Sequence, residues 1–491
     1  MEEAGDAVQI DHASKYKQDV EVLGDLFSYG NYANFLTDMG RFKEAADYFV
    51  EALGPIDLPF SLDPSYLETY GLTCGWYAGC LEQLKEFDKA EKWYQRALEL
   101  DPRDPLAMGN YAIFLHKVRK NYRAAERAYA EAVEAHPDHA SILCKYAGFL
   151  KHVKRDIPRA ESVFLQAIKA NPQHSESLGN YAVLLHGELM DYDKAERFYQ
   201  KAFEADKDNV NNLSNFGLFL AEVRKKAKRS EELYMRAMEL DPNHSNSIYN
   251  YAVLLDSDLK EKDKAEGLYR KCLEINPRHG YALYNLAVLV EEKGADLQQA
   301  KELFIRALEC CPEDALTLAD FGRYLMAYEQ KYDQAEQYIR KALGHDPNCI
   351  TALFQMGKLT HKIKKNASKA TPYFERVIEI EPDHVGAHRY LARLSIETRS
   401  NLTSADGHYR RALQTEPGNA EILEEYADFL AESSSGQDRD RAKNLYLKAI
   451  ELSPDNGILS QKLKLLESNN SQKRRSQSSQ KRRSRTTSRN F

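Results

Sequence analysis

Long apolar runs are missing from this 491-residue chain. No stretch approaches the roughly eighteen apolar residues that a membrane-spanning helix needs, so no such helix is expected. Proline and glycine are scarce, at 16 and 24 residues, too few for a turn-rich all-β protein. The seven cysteines include no C-x-x-C pair and leave an odd number. They are expected to be small core residues of a reduced protein, not disulfides or metal ligands. The first residues are acidic and lack the basic and apolar regions of a secretory leader, which points to a cytoplasmic protein. The N-x-S/T sequons at Asn212, Asn366, Asn401 and Asn469 are then not glycosylated. No Gly-rich phosphate loop, Gly-x-Ser-x-Gly elbow or H-E-x-x-H occurs, so neither enzyme activity nor a cofactor or metal is expected.

What is abundant is apolar residues, 43% of the chain, enough for a large core. Charge is unevenly spread. The net charge is −7, yet residues 468–491 carry eight basic residues and no acidic one. The remainder therefore carries −7 − 8 = −15, and an acidic body repels phosphate backbones.

Proline marks a period. Pro102, Pro137, Pro172, Pro242, Pro277, Pro312, Pro347, Pro382 and Pro417 are spaced by 35 residues or twice that, with Lys207 where one marker is missing. Between markers one pattern recurs. Its halves are exemplified by Gly179-Asn180-Tyr181-Ala182-Val183-Leu184-Leu185 and by Tyr192-Asp193-Lys194-Ala195-Glu196-Arg197-Phe198-Tyr199. Apolar and small residues fall at i, i+3, i+4 and i+7, the mark of two amphipathic helices. Small residues recur in the first half at Ala112, Ala147, Ala182, Gly217, Ala252 and Ala287. In the second half they recur at Ala125, Ala160 and Ala195, with Ser230 in one unit. They let paired helices approach closely. A large aromatic follows in each second half, from Tyr94 through Phe304, Tyr338 and Phe374 to Tyr446.

This resembles the tetratricopeptide repeat over about Tyr29 to Pro454. The resemblance implies an all-α, right-handed superhelical solenoid of about twelve helix-turn-helix repeats. Most units carry one residue more than the usual 34, in the turn between their helices. That insertion is expected to change pitch and not fold. Four segments follow: 1–28, the repeats at 29–454, a capping helix at 455–467, and a disordered basic tail at 468–491. Gly54 to Pro64 is a candidate bend, and Ser433 to Gly436 lengthens the last turn.

In the tetratricopeptide family the residue two before the first small residue faces the groove. Here it is Asn31, Asn110, Asn180, Asn215, Asn250 and Asn285. The row resembles the asparagine ladder of the O-linked N-acetylglucosamine transferase superhelix. An amide offers a donor and an acceptor, so such a row suits the backbone of an extended peptide. The competing readings are that asparagine is simply common at this position of tetratricopeptide units and solvated there, or that it has a structural role between helices. The row breaks at Lys145, Asp320 and Gln355. Three residues further on stand Ile113, Val183, Leu218, Val253 and Val288, an apolar floor where a chaperone clamp would need asparagine. His116, His152, His186 and His361 near first-helix ends are expected to be solvated.

The tail repeats Gln-Lys-Arg-Arg-Ser at 472–476 and 480–484. Its two basic clusters look like a nuclear-import signal, with Ser476 and Ser484 as candidate phosphorylation sites whose phosphate would offset that charge. The expected function is a protein-binding scaffold, cytoplasmic and, through the basic tail, nuclear, holding a partner segment in its groove. Nucleic acid is expected at most weakly, through the tail. An RNA-processing scaffold and a substrate-presenting subunit of an enzyme complex are the alternatives.

Overall fold

The computed structural model describes residues 15–20, 25–54, 64–294, 296–398, 402–433 and 435–468. Among them all regular structure is helical. Twelve helix pairs follow one another, from Leu26–Asp38 with Phe42–Leu53 to Ala420–Ala431 with Gly436–Leu452. Residues 457–468 form a further helix that buries Leu459 and Leu466. The chain divides into two compact units, Met1–Leu268 and Tyr269–Phe491. The division falls inside the second helix of the seventh pair, Lys262–Ile275. No helix is long and apolar enough to cross a membrane among the described residues.

First helices pack on their own partners and, at several steps within a unit, on the first helix of the following pair, as Ala140–Phe149 does with Ser175–Gly187. The small residues lie at these contacts: Ala112, Ala147, Ala182, Ala252, Ala125, Ala160 and Ala195 are fully buried. Around them the second-helix aromatics form the core. Tyr199 stacks on Phe216 at 5.5 Å and lies 5.3 Å from Phe219. Burying such rings contributes roughly 1.5–3 kcal/mol each, so the stack is held mainly by apolar area. One expected ring is misplaced by a residue. Tyr338 is half-buried and meets Phe321 edge-on, whereas Ile339 occupies the buried register position against Gly322.

The inserted residue has a clear structural consequence. In the first two pairs the turn closes with a bond five residues back, Arg41 N–H to Leu36 O and Glu86 N–H to Leu81 O. In the longer units it closes six back, as in Asn121 to Leu115, Asp191 to Leu185 and Lys226 to Leu220. The extra residue widens the end of the first helix, where Arg119 N–H bonds Phe114 O and Leu189 N–H bonds Leu184 O, both five back. In the fourth and ninth pairs it becomes a full π-helical turn, Leu150–Lys154 and Leu325–Glu329. π-Turns cluster at functional positions. A left-handed residue then reverses the chain: Lys120, Arg155, Met190, Lys225, Lys260, Gln330 and Lys365 all have φ between 51 and 59°.

First helices start at a second periodic position. Asp104, Asn209, Asp314 and Asn419 cap them with a side-chain oxygen. His139, His174, His244, His279 and His384 do so with a ring nitrogen. His174 Nδ1, for example, accepts from the Ser177 N–H at 3.3 Å. A ring nitrogen that accepts must be unprotonated. Cys349 holds the same position in the tenth pair and makes no side-chain cap bond.

Candidate functional site on the first-helix face

The six asparagine positions lie on first helices. Asn110, Asn180, Asn215 and Asn250 are half-buried in the first unit, and Asn285 is half-buried in the second. Two of these amides also tie neighbouring repeats together. Asn180 Nδ2 donates to Cys144 Sγ at 3.4 Å, and Asn250 Nδ2 donates to Ser214 Oγ at 3.3 Å. Each acceptor sits one residue before the ladder position of the preceding repeat. The same register recurs in the second unit, where Tyr284 Oη donates to Asp320 Oδ2 at 2.8 Å and Arg389 Nε donates to Glu425 Oε1 at 2.8 Å. Asn110 and Asn215 have no side-chain hydrogen-bond partner among the described residues. Even Asn180 and Asn250, each with one such bond, keep an N–H and a carbonyl oxygen for a ligand.

The apolar residues three places on, Ile113, Val183, Leu218 and Val253, are half-buried beside this row. A pocket of about 270 Å³ opens between the third, fourth and fifth pairs, lined by Ile113, His116, Lys145, Lys151, Glu176 and Asn180 among others. Lys151 belongs to the first π-turn and is 6% exposed. Burial holds its ammonium below the ordinary lysine value, the direction desolvation dictates for a cation.

Of the histidines expected to be solvated, His152 is exposed, whereas His116, His186 and His361 are half-buried. His116 stands edge-on to Phe149 at 5.2 Å, and His186 does the same to Phe219 at 5.2 Å. Burial keeps both imidazoles below their ordinary value. His361 Nε2 lies 2.7 Å from Glu397 Oε2. These contacts reach the first helix of the next repeat, which sequence spacing does not reveal.

In the second unit, after Val288, the position three after the ladder changes character. Arg323, Lys358 and Arg393 replace the apolar series. Arg323 is held by both oxygens of Glu291 at 2.6 and 2.7 Å and by Asp320 at 3.0 Å. Arg393 pairs with Glu425. Lys358 has no carboxylate partner among the described residues. It lies 5.6 Å over the Phe354 ring, beside a second pocket of about 260 Å³. This series was visible in the sequence as simple 35-residue arithmetic from Val288. Ser476, Ser484, most of 1–28, and the basic tail from 469 onward fall outside the described residues.

Comparison with known proteins agrees with this architecture. Tetratricopeptide repeat models match residues 72–104, 163–197 and 233–267. The model of the cilia and flagella-associated protein 70 middle TPR-like domain matches residues 283–396. No curated protein matches the chain closely enough to count as a relative. Among solved structures, the chain is similar to one from the APC/C hetero-tetramer Cut9-Hcn1, with a TM-score of 0.60 and 14% identity over 94% of this chain and 95% of that one. It is also similar to an IFIT1 monomeric mutant with Gppp-AAAA, at TM-score 0.50 and 15% identity over 83% and 94%. At such identities the likeness is one of fold alone. The chain carries tetratricopeptide repeats within a TPR-like helical solenoid fold.

Proposed function

We propose that the chain is a non-enzymatic scaffold whose first-helix face forms a groove for an extended segment of a partner protein. The observation that carries this reading is the row of half-buried amides at constant spacing, of which Asn110 and Asn215 are unpaired among the described residues. Successive packed helices lie roughly 8–10 Å apart, about three residues of extended chain. A strand could thus meet one amide about every three residues, beside the apolar Val183, Leu218 and Val253. The net charge of −15 outside 468–491 disfavours a polynucleotide along the same face. The basic tail is best suited to nuclear import, with the body working in cytoplasm and nucleus.

The test compares wild type with a variant carrying Asn180, Asn215, Asn250 and Asn285 changed to Ala, matched by circular dichroism, in a quantitative pull-down with and without nuclease. Nuclease-resistant partners lost from the variant support the reading. Partners retained by the variant place binding elsewhere.

A further inference from the structure

The second pocket has an unusual lining. Arg323, Tyr332, Gln355, Lys358 and Lys362 are its polar residues, and Met326 and Ala327 come from the second π-turn. No aspartate or glutamate is among the lining residues. Glu291 and Asp320 hold and neutralise Arg323, which leaves Lys358 and Lys362 as uncompensated cations. Neither has an ion-pair partner among the described residues. Burial, with Lys362 and Arg323 nearby, keeps the Lys358 ammonium below its ordinary value. Lys358 is half-buried, a rare position for a lysine without a counter-charge, and Lys362 is exposed beside it.

Gln355 supplies an independent observation. It is 5% exposed, and its buried Oε1 has no hydrogen-bond partner. An orphaned buried amide costs stability until something satisfies it. Either orientation of this amide meets the same ligand. Its oxygen takes a peptide N–H, and its nitrogen gives to a carboxylate.

The geometry points to a receptor site for one acidic side chain of a partner polypeptide, its carboxylate between Lys358 and Lys362 and its neighbouring backbone amide on Gln355. The pocket's 260 Å³ suits one side chain and not a nucleotide run. A single pair of cations gives a polyphosphate little to follow, whereas a charge-assisted pair in a half-buried site discriminates strongly. The site deepens the scaffold reading by naming a partner chemistry, and it stands apart from the asparagine row of the first unit.

The test uses the full chain and fluorescence anisotropy with a labelled decapeptide alternating Ala and Asp. The same peptide with Asn for Asp and a labelled ten-nucleotide oligouridylate serve as comparisons. Wild type should bind the Asp peptide, and the Asn peptide roughly tenfold or more weaker. K358Q should lose roughly tenfold toward the Asp peptide and nothing toward the Asn peptide. K362Q, judged beside K358Q with thermal melting as the check on folding, should weaken in the same direction. The N180A/N215A/N250A variant should keep the roughly tenfold preference for the Asp over the Asn peptide, whatever it loses toward both, so that failure of the asparagine row and failure of this pocket are told apart. Equal binding of the Asp and Asn peptides, indifference to both lysine substitutions, no binding of the Asp peptide at all, or tighter and Lys358-dependent binding of the oligouridylate would each overturn the inference.

Discussion

A methyl group placed on Gly217 would fall 2.8 Å from Cε1 of the fully buried Tyr234 ring. The close approach is sealed by Ser230, whose Oγ donates to the Gly217 carbonyl at 2.6 Å. Alanine is the better helix former by about 1 kcal/mol, so propensity alone makes Gly217→Ala stabilising. Packing makes it destabilising, by about 1–3 kcal/mol. Urea denaturation of Gly217→Ala decides between them, and in a Tyr234→Leu background the cost should shrink, because the ring that clashes is gone.

Cys349 stands where nine other repeats place a first-helix cap of Asp, Asn or His, and it makes no cap bond. Cys349→Asn should restore the bond that Asn209 and Asn419 make in their repeats. A gain of about 1 kcal/mol is expected, read as a higher melting temperature. An unchanged or lower one would mean that burial of the amide outweighs the cap.

The histidine caps make stability depend on pH. Burial lowers the imidazoles of His174, His244 and His279. The unfolded chain therefore takes up protons first as pH falls below the ordinary histidine value of about 6.5. Their contribution is whole above that value and is lost on acidification toward the lower folded values. Protonation also removes the accepting nitrogen and puts a cation at a helix N-terminus. His116, His186 and His408 shift in the same direction. Glu82 and Glu222, raised by burial, act the opposite way as the pH approaches the carboxylate range. The melting temperature should fall between pH 7 and pH 5, and H174N/H244N/H279N should flatten that fall.

Much of this fold was legible in the sequence because tetratricopeptide packing rests on residue size at fixed spacing. The buried alanines and the aromatics from Tyr129 to Tyr234 sit where the 35-residue register puts them. The misplacement of Tyr338 arose from favouring an aromatic over the register; Ile339 keeps the spacing and fills the site. The π-turns were hidden, because an insertion in a turn can be absorbed on either side of it. The histidine caps were equally periodic, from His139 to His384, but histidine is not a customary cap. At the candidate site the asparagine positions were readable from the register. The hydrogen bonds of Asn180 and Asn250 to the preceding repeat depend on stacking distances that no sequence pattern carries.

The central claim is that a partner segment lies along the first helices. Site-specific photo-crosslinking tests it most directly, with p-benzoylphenylalanine placed at Asn215 or Val183 on the first-helix face, or at the exposed Met235 on a second helix. The account predicts crosslinks to a nuclease-resistant protein partner from Asn215 and Val183 and none from Met235. Crosslinks from Met235 alone, or crosslinks to RNA from Asn215, would contradict it.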